Sequence, residues 1–146
     1  MAAGATRIKM AKMIKLALLD DLRAPTTDFV FGRVVVRVNV WINGDHVLAD
    51  GVGVVDTGAR HCSIALNSTG QNVPDELVPS IHAGGSGTTG IFRLSEIQID
   101  KFRRLPVTFT QMPVNGFFDV LIGRDALRFC SLVIDHPNST YTLDVP

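Results

Sequence analysis

"VVDTGARHCSIA", residues 54–65, is the stretch on which the reading of this chain turns. An apolar, strand-like run ends on an acid, Asp56, and Thr57, Gly58 and Ala59 follow at once. A carboxylate at a strand end, followed by a small hydroxyl residue and a glycine, fits a tight turn that presents the acid instead of burying it. Taken alone, the tripeptide is more readily a plain turn former with Asp56 capped by Thr57. The flanking sequence has to choose between the two.

Upstream, "GRVVVRVNVWI" (32–42) is rich in β-branched residues, Asn43-Gly44 is a strong hairpin signal, and "DHVLADGVGVVD" (45–56) supplies a return strand ending on Asp56. Trp41, beside that turn, reads as a hairpin anchor. Downstream, short apolar runs at 77–82, 91–99, 105–111, 119–122, 130–135 and 140–145 are separated by Gly, Pro or Asn. Many short strands at close spacing predict an all-β domain of barrel type. "GRDALRF" (123–129) reads as a brief helix after the run "DVLI", and "CSLVID" and "TYTLDV" form a last hairpin around "HPNS". Residues 7–22 place Ile8, Ala11, Ile14, Leu18 and Leu22 at helical spacing and predict an amphipathic helix. That helix either packs on its own domain or serves as a removable or partner-binding segment. "RAPTTD" (23–28) reads as a linker, dividing the chain into 1–28 and a domain over 29–146.

Composition narrows the function classes. The chain has 146 residues, 46% hydrophobic and 19% charged, enough for one core, and its formal charge is zero with a pI near 6.9. No global field draws it to nucleic acid or anionic membrane. Lys9, Lys12 and Lys15 interrupt the N-terminal apolar residues, and no run reaches the length of a membrane span. Two cysteines, Cys62 and Cys130, are too few for a disulfide scaffold, so a reducing, cytoplasmic setting is expected. Two Asn-X-Thr triplets, at Asn67 and Asn138, matter only in a secreted chain.

Two motifs in order carry more weight than either alone. "VVDTGA" followed by "DVLIGRDAL" (119–127) closely resembles the retropepsin-like aspartic proteases of cellular and bacterial single-domain type, over about residues 33–145. Between them, "SIHAGGSGTTGIFRL" (80–94) sits where that family has a mobile hairpin flap over the substrate. Its glycines suit unusual backbone angles, close approach to a peptide and freedom to open. A phosphate loop would need a Gly-Lys-Ser/Thr ending and a following helix, and a plain surface loop stays the simpler alternative.

The resemblance implies the chemistry. Two carboxylates sharing one proton hydrolyse a peptide, one drawing a proton from water and the other polarising the carbonyl. With one D-T-G per chain, two chains must meet, each donating Asp56. Thr57 then locks the two turns across the dimer. Gly58 admits the substrate backbone, and Ala59, Arg60, Ala83, Gly84, Gly85, Ser86, Gly87 and Ile122 contact the substrate. Gly123, Arg124 and Asp125 lie behind the site. The implied partners are a second copy and an extended peptide with apolar side chains, with no metal, cofactor or nucleic acid.

The sequence also departs from viral members. Arg60 stands where they often carry an acid, opposite Arg124, leaving Asp125 to pair with Arg60 or Arg124 to turn to Asp119 or Asp135. The chain also continues past the helix into the final hairpin, expected at the dimer interface with Cys130 near it as a small buried apolar residue. "DFVF" (28–31) offers apolar residues in a linker, and self-cleavage between residues 22 and 32 is an expectation. Cysteine catalysis by Cys62 with His61 or His82 is disfavoured, because neighbours on a strand point to opposite faces and His61 cannot readily serve Cys62. Zinc spacing is lacking. The competing functional class is a peptide-binding or dimerisation module that keeps the turn without cutting.

Overall fold

The computed structural model describes residues 13–82, 85–113 and 116–146. Among the described residues, eleven strands, one short α-helix and a single 3-10 turn at Leu66–Ser68 occur, the strands and α-helix in the order β1 (Ile14–Lys15), β2 (Ala17–Leu19), β3 (Arg33–Ile42), β4 (Asp45–Val55), β5 (Cys62–Ala65), β6 (Glu76–His82), β7 (Gly85–Ile99), β8 (Leu105–Met112), β9 (Val120–Ile122), α1 (Arg124–Leu127), β10 (Ser131–Asp135) and β11 (Thr140–Asp144). The mostly β class agrees with the sequence reading.

The β3–β4 hairpin forms as its turn residues demand. Asn43 and Gly44 take φ values of 51° and 80°, the doubly left-handed pair that matches the twist of the flanking strands. Trp41 is buried beside it, stacked on His46 with ring centroids 4.5 Å apart and covered by the Arg104 guanidinium at 3.6 Å. The long sheet runs β2-β3-β4-β9-β5-β8-β7-β6, and β7 also pairs with β3 from Val38↔Ile99 to Ile42↔Ser95. A second sheet has the order β1-β11-β10.

Where the expected N-terminal helix falls on described residues, strands stand in its place. Within residues 13–22 the chain forms β1, β2 and a turn; the rest of the expected helix, 7–12, lies outside the described residues. The same residues also alternate with period two: Leu16 and Leu18 are buried and Ile14 half-buried, while Lys15 and Ala17 are exposed. Free edges on β11 and β3 accept this pattern, with Ile14 opposite Leu143 and Leu18 opposite Val34. Tertiary pairing overrides a helical spacing that local propensity supports only weakly.

The order β4-β9-β5 matters most for function. β4 and β5 are joined by the D-T-G turn yet do not pair with each other; β9 lies between them, parallel to β4 and antiparallel to β5. The two faces of β4 then divide the core. A Cβ on Gly53 would stand 2.9 Å from both Val38 Cγ1 and Ile122 Cδ1, so Gly53 lets β4 press against the large cluster that holds Val38, Ile64, Phe92, Phe109 and Ile122. Val52 and Val54 face the other way, into a smaller cluster with Val35 and the partly buried Leu19, Phe118 and Leu121.

Candidate active site

Asp56 comes directly after β4, and strand alternation carried one residue further assigns it to the Val52–Val54 face. Its backbone is held from behind, where the Asp56 N–H donates to the Ile122 carbonyl at 3.0 Å. The turn then closes on itself. Asp56 Oδ1 accepts the Gly58 N–H at 3.0 Å, and the Asp56 carbonyl accepts the Ala59 N–H at 3.2 Å. The carboxylate is half-buried, while Thr57 and Gly58 are exposed. The sequence thus places an acid on an open apolar face, with one oxygen oriented by the backbone.

The Gly-Arg-Asp stretch supports the turn through its main chain. Arg124 N–H donates to the Ala59 carbonyl at 2.9 Å, and Asp125 N–H to the Arg60 carbonyl at 3.1 Å. Gly123 is required by space. A Cβ there would lie 2.3 Å from the His61 carbonyl oxygen and 3.1 Å from that of Ala59. Its φ of −89° suits any residue, so close approach of two backbones, and not conformation, selects glycine.

The charge pairs considered for Arg60 and Arg124 do not form. Both side chains are exposed, and among the described residues neither makes an ion pair. The acids are committed to backbone donors. Asp125 Oδ1 accepts the Cys62 N–H at 3.0 Å and Oδ2 accepts the Thr108 N–H at 3.1 Å, tying α1 to β5 and β8. Asp119 Oδ2 accepts the Val52 N–H at 2.8 Å, and Asp135 takes both N–H groups of Asn138. A buried backbone donor left without an acceptor costs about 1–3 kcal/mol, more than an exposed ion pair returns.

Cys62 is fully buried and its Sγ donates to Asp125 Oδ1 at 3.0 Å. Burial first, and the Asp125 hydrogen bond second, push its thiol far above the ordinary value and keep it protonated. His61 lies near Asp125 instead, Nδ1 to Oδ2 3.8 Å. Cys130 is partly buried at the end of α1, its Sγ donating to the Ala126 carbonyl at 3.4 Å, and burial pushes its thiol up to about 11. Among the described residues no three His, Cys, Asp or Glu side chains are grouped to hold a metal ion, and no helix is long and apolar enough to cross a membrane.

Of the proposed substrate contacts, Ile122 needs correction. Its side chain is fully buried in the large cluster, and only its carbonyl reaches the site. Its neighbour Leu121, opposite Val54, is the residue that shares the face of Asp56. Val35, Val54 and Phe118 join it there; the alternation running back from Asp56 marks Val54, whereas the partners on β3 and β9 become visible only once pairing is known. Ser86 and Gly87 are exposed in a hairpin of β6 and β7 that pairs from Glu76↔Ile91 to His82↔Gly85. Ala83 and Gly84 lie outside the described residues. The base of this hairpin is pinned by Arg93, whose N–H donates to Asp75 Oδ2 at 2.7 Å and whose guanidinium pairs with Glu76.

The final hairpin forms between β10 and β11 as read, with Val133 and Ile134 exposed on β10. The loop at 28–31 is organised by Asp28 Oδ1, which accepts the Val30 N–H at 3.1 Å, and Phe29 stacks on His136 at 4.9 Å. The family model described as retroviral aspartyl protease matches the chain over residues 32–135. No curated protein matches the chain.

Proposed function

Because the chain belongs to the retroviral aspartyl protease family, we propose that it is a homodimeric aspartic endopeptidase in which two Asp56 residues, one from each chain, activate water. The observation that carries this reading is the setting of Asp56. It is a half-buried carboxylate on an apolar face, oriented by the Gly58 N–H and anchored to the Ile122 carbonyl. One acid is not enough for this chemistry. With two carboxylates sharing one proton, the ionised one takes a proton from water as the water oxygen attacks the scissile carbonyl carbon. The protonated one donates to the carbonyl oxygen. As the tetrahedral gem-diol collapses, the first carboxyl gives the proton it took from water to the amide nitrogen and a gem-diol hydroxyl returns its proton to the second, so the C–N bond breaks and the pair is restored.

The second copy supplies the missing carboxylate. In that dimer Thr57, exposed beside Asp56, meets its counterpart's hydroxyl across the two-fold axis. β10 ends its sheet and carries exposed Val133 and Ile134, so its edge suits pairing with another chain. The additional β3–β7 pairing serves as the seam that closes the long sheet into a barrel. An extended peptide lies between the D-T-G turns and the β6–β7 hairpin, held by main-chain hydrogen bonds. Its side chains meet Val35, Val54, Phe118 and Leu121.

The test is mass-spectrometric cleavage of a diverse peptide library by wild type and Asp56→Asn, at acidic to neutral pH and high protein concentration. Cuts made by wild type alone support the acid-pair mechanism. No cuts from a protein shown to be folded and dimeric in the same samples refute it and favour a peptide-binding module.

A further inference from the structure

The segment between β2 and β3 reaches across the molecule to the residues that lead into β9. Arg23 Nε donates to the Phe117 carbonyl at 2.9 Å, a bond spanning 94 residues of sequence. Arg33 stacks its guanidinium over Phe117 and Phe118, at 4.9 and 5.6 Å from the ring centroids, and its Nη1 lies 3.4 Å from Asp21 Oδ1.

The turn that aims Arg23 is over-determined. Arg23 has a φ of 61°, a left-handed conformation few non-glycine residues adopt. Asp20 holds it there. Its Oδ1 accepts the Leu22 and Ala24 N–H groups at 2.8 and 2.9 Å, its carbonyl accepts the Arg23 N–H at 3.0 Å, and its own N–H donates to the Ala24 carbonyl at 2.9 Å.

The grip falls next to the candidate site. Phe118 packs in the cluster with Val54 and Leu121, on the face that Asp56 continues, and the following residue, Asp119, is bonded to Val52. Fixing the Phe117 carbonyl therefore fixes where the Phe118 ring stands relative to that face. We propose that Arg23 is a positioning residue which sets the side-chain selectivity of the substrate groove through Phe117 and Phe118, for substrates with a large apolar side chain beside the cut. This inference rests on the endopeptidase reading above. Arg23 itself touches no reacting atom.

Arg23→Ala and Arg23→Lys are compared with wild type on peptides that vary one apolar residue beside the cut. Pockets of this kind discriminate by about tenfold or more per methylene. Arg23→Ala is expected to shrink that discrimination to about threefold or less by raising KM for the preferred peptides, with kcat within about twofold and the pH profile unmoved. Arg23→Lys, which keeps a donor, recovers part of it. A second readout is independent of activity: amide hydrogen exchange over residues 116–121 quickens in Arg23→Ala while exchange in β8 does not change. Unchanged exchange overturns the clamp. Quickened exchange with undiminished selectivity overturns its role in specificity, and so does a loss confined to kcat. If wild type cuts no peptide, the endopeptidase reading falls by itself, and selectivity is then read from the affinities of the same peptides by fluorescence anisotropy, with the same two outcomes.

Discussion

Gly123→Ala probes the link between backbone packing and catalysis. The added methyl would sit 2.3 Å from the His61 carbonyl oxygen, 2.5 Å from the His61 carbonyl carbon and 3.1 Å from the Ala59 oxygen. All three are main-chain atoms, so no side chain can rotate out of the way. Relief requires the Ala59–His61 backbone to retreat from α1 by about 1 Å, weakening the bonds from Arg124 N–H and Asp125 N–H that hold Ala59 and Arg60. Overpacking of about 1–3 kcal/mol and two weakened hydrogen bonds losing about 0.5 kcal/mol each give a loss of about 2–4 kcal/mol. For a domain of this size that is a fall in Tm of about 6–15 °C. The same shift carries the adjoining D-T-G turn, and a misplacement of about 1 Å costs about a hundredfold in rate. The assay pairs thermal denaturation with kcat on a cleaved peptide. Gly116→Ala is the stability control, since a Cβ there meets nothing within 4 Å. A Gly123→Ala protein with Tm within about 2 °C of wild type and kcat within about twofold would refute the reasoning.

Three more outcomes are expected. Asp125→Asn turns one acceptor into a donor facing the Cys62 or Thr108 N–H, and equilibrium urea unfolding should register a loss of about 1–3 kcal/mol; an unchanged midpoint would mean these bonds are idle. The raised Cys62 thiol stabilises the fold fully below its ordinary value of 9.0, where folded and unfolded chains are both protonated. Above that pH only the unfolded chain ionises, so stability falls by about 1.4 kcal/mol per pH unit for this thiol, and Cys130 adds its share up to about pH 11. Cys62→Ala should flatten the decline between pH 9 and 10.5 relative to wild type, and parallel slopes would count against the assignment. Finally, a chain cut between residues 22 and 32, by itself or at an engineered protease site, should hold its N-terminal piece, because Leu16 and Leu18 are buried and β1 and β2 are paired to β11 and β3. Size exclusion under native conditions should show one peak whose denatured mass spectrum contains two fragments; separate elution of the short piece would contradict this.

Local chemistry made part of this legible from residues alone. Asn43-Gly44 needs left-handed backbone at both positions, and "VVDTGA" with "LIGRD" carries steric demands that few other sequences meet, so the hairpin, the acid-bearing turn and the helix behind it could be read directly. Period-two alternation also marks Val54 as sharing the face of Asp56. Other features depend on partners distant in sequence. The segment 14–19 has apolar residues that fit a helix or a strand, and only the open edges of β3 and β11 make it strand. Ile122 and Leu121 are equally apolar, and the parallel register with β4 sends one into the core and the other to the face of Asp56. Asp125 looks like a partner for an arginine until β5 and β8 bring two backbone N–H groups to its oxygens. Short-range sterics are written in neighbouring residues, whereas face, edge and hydrogen-bond partner are set by pairings that exist only in the folded chain.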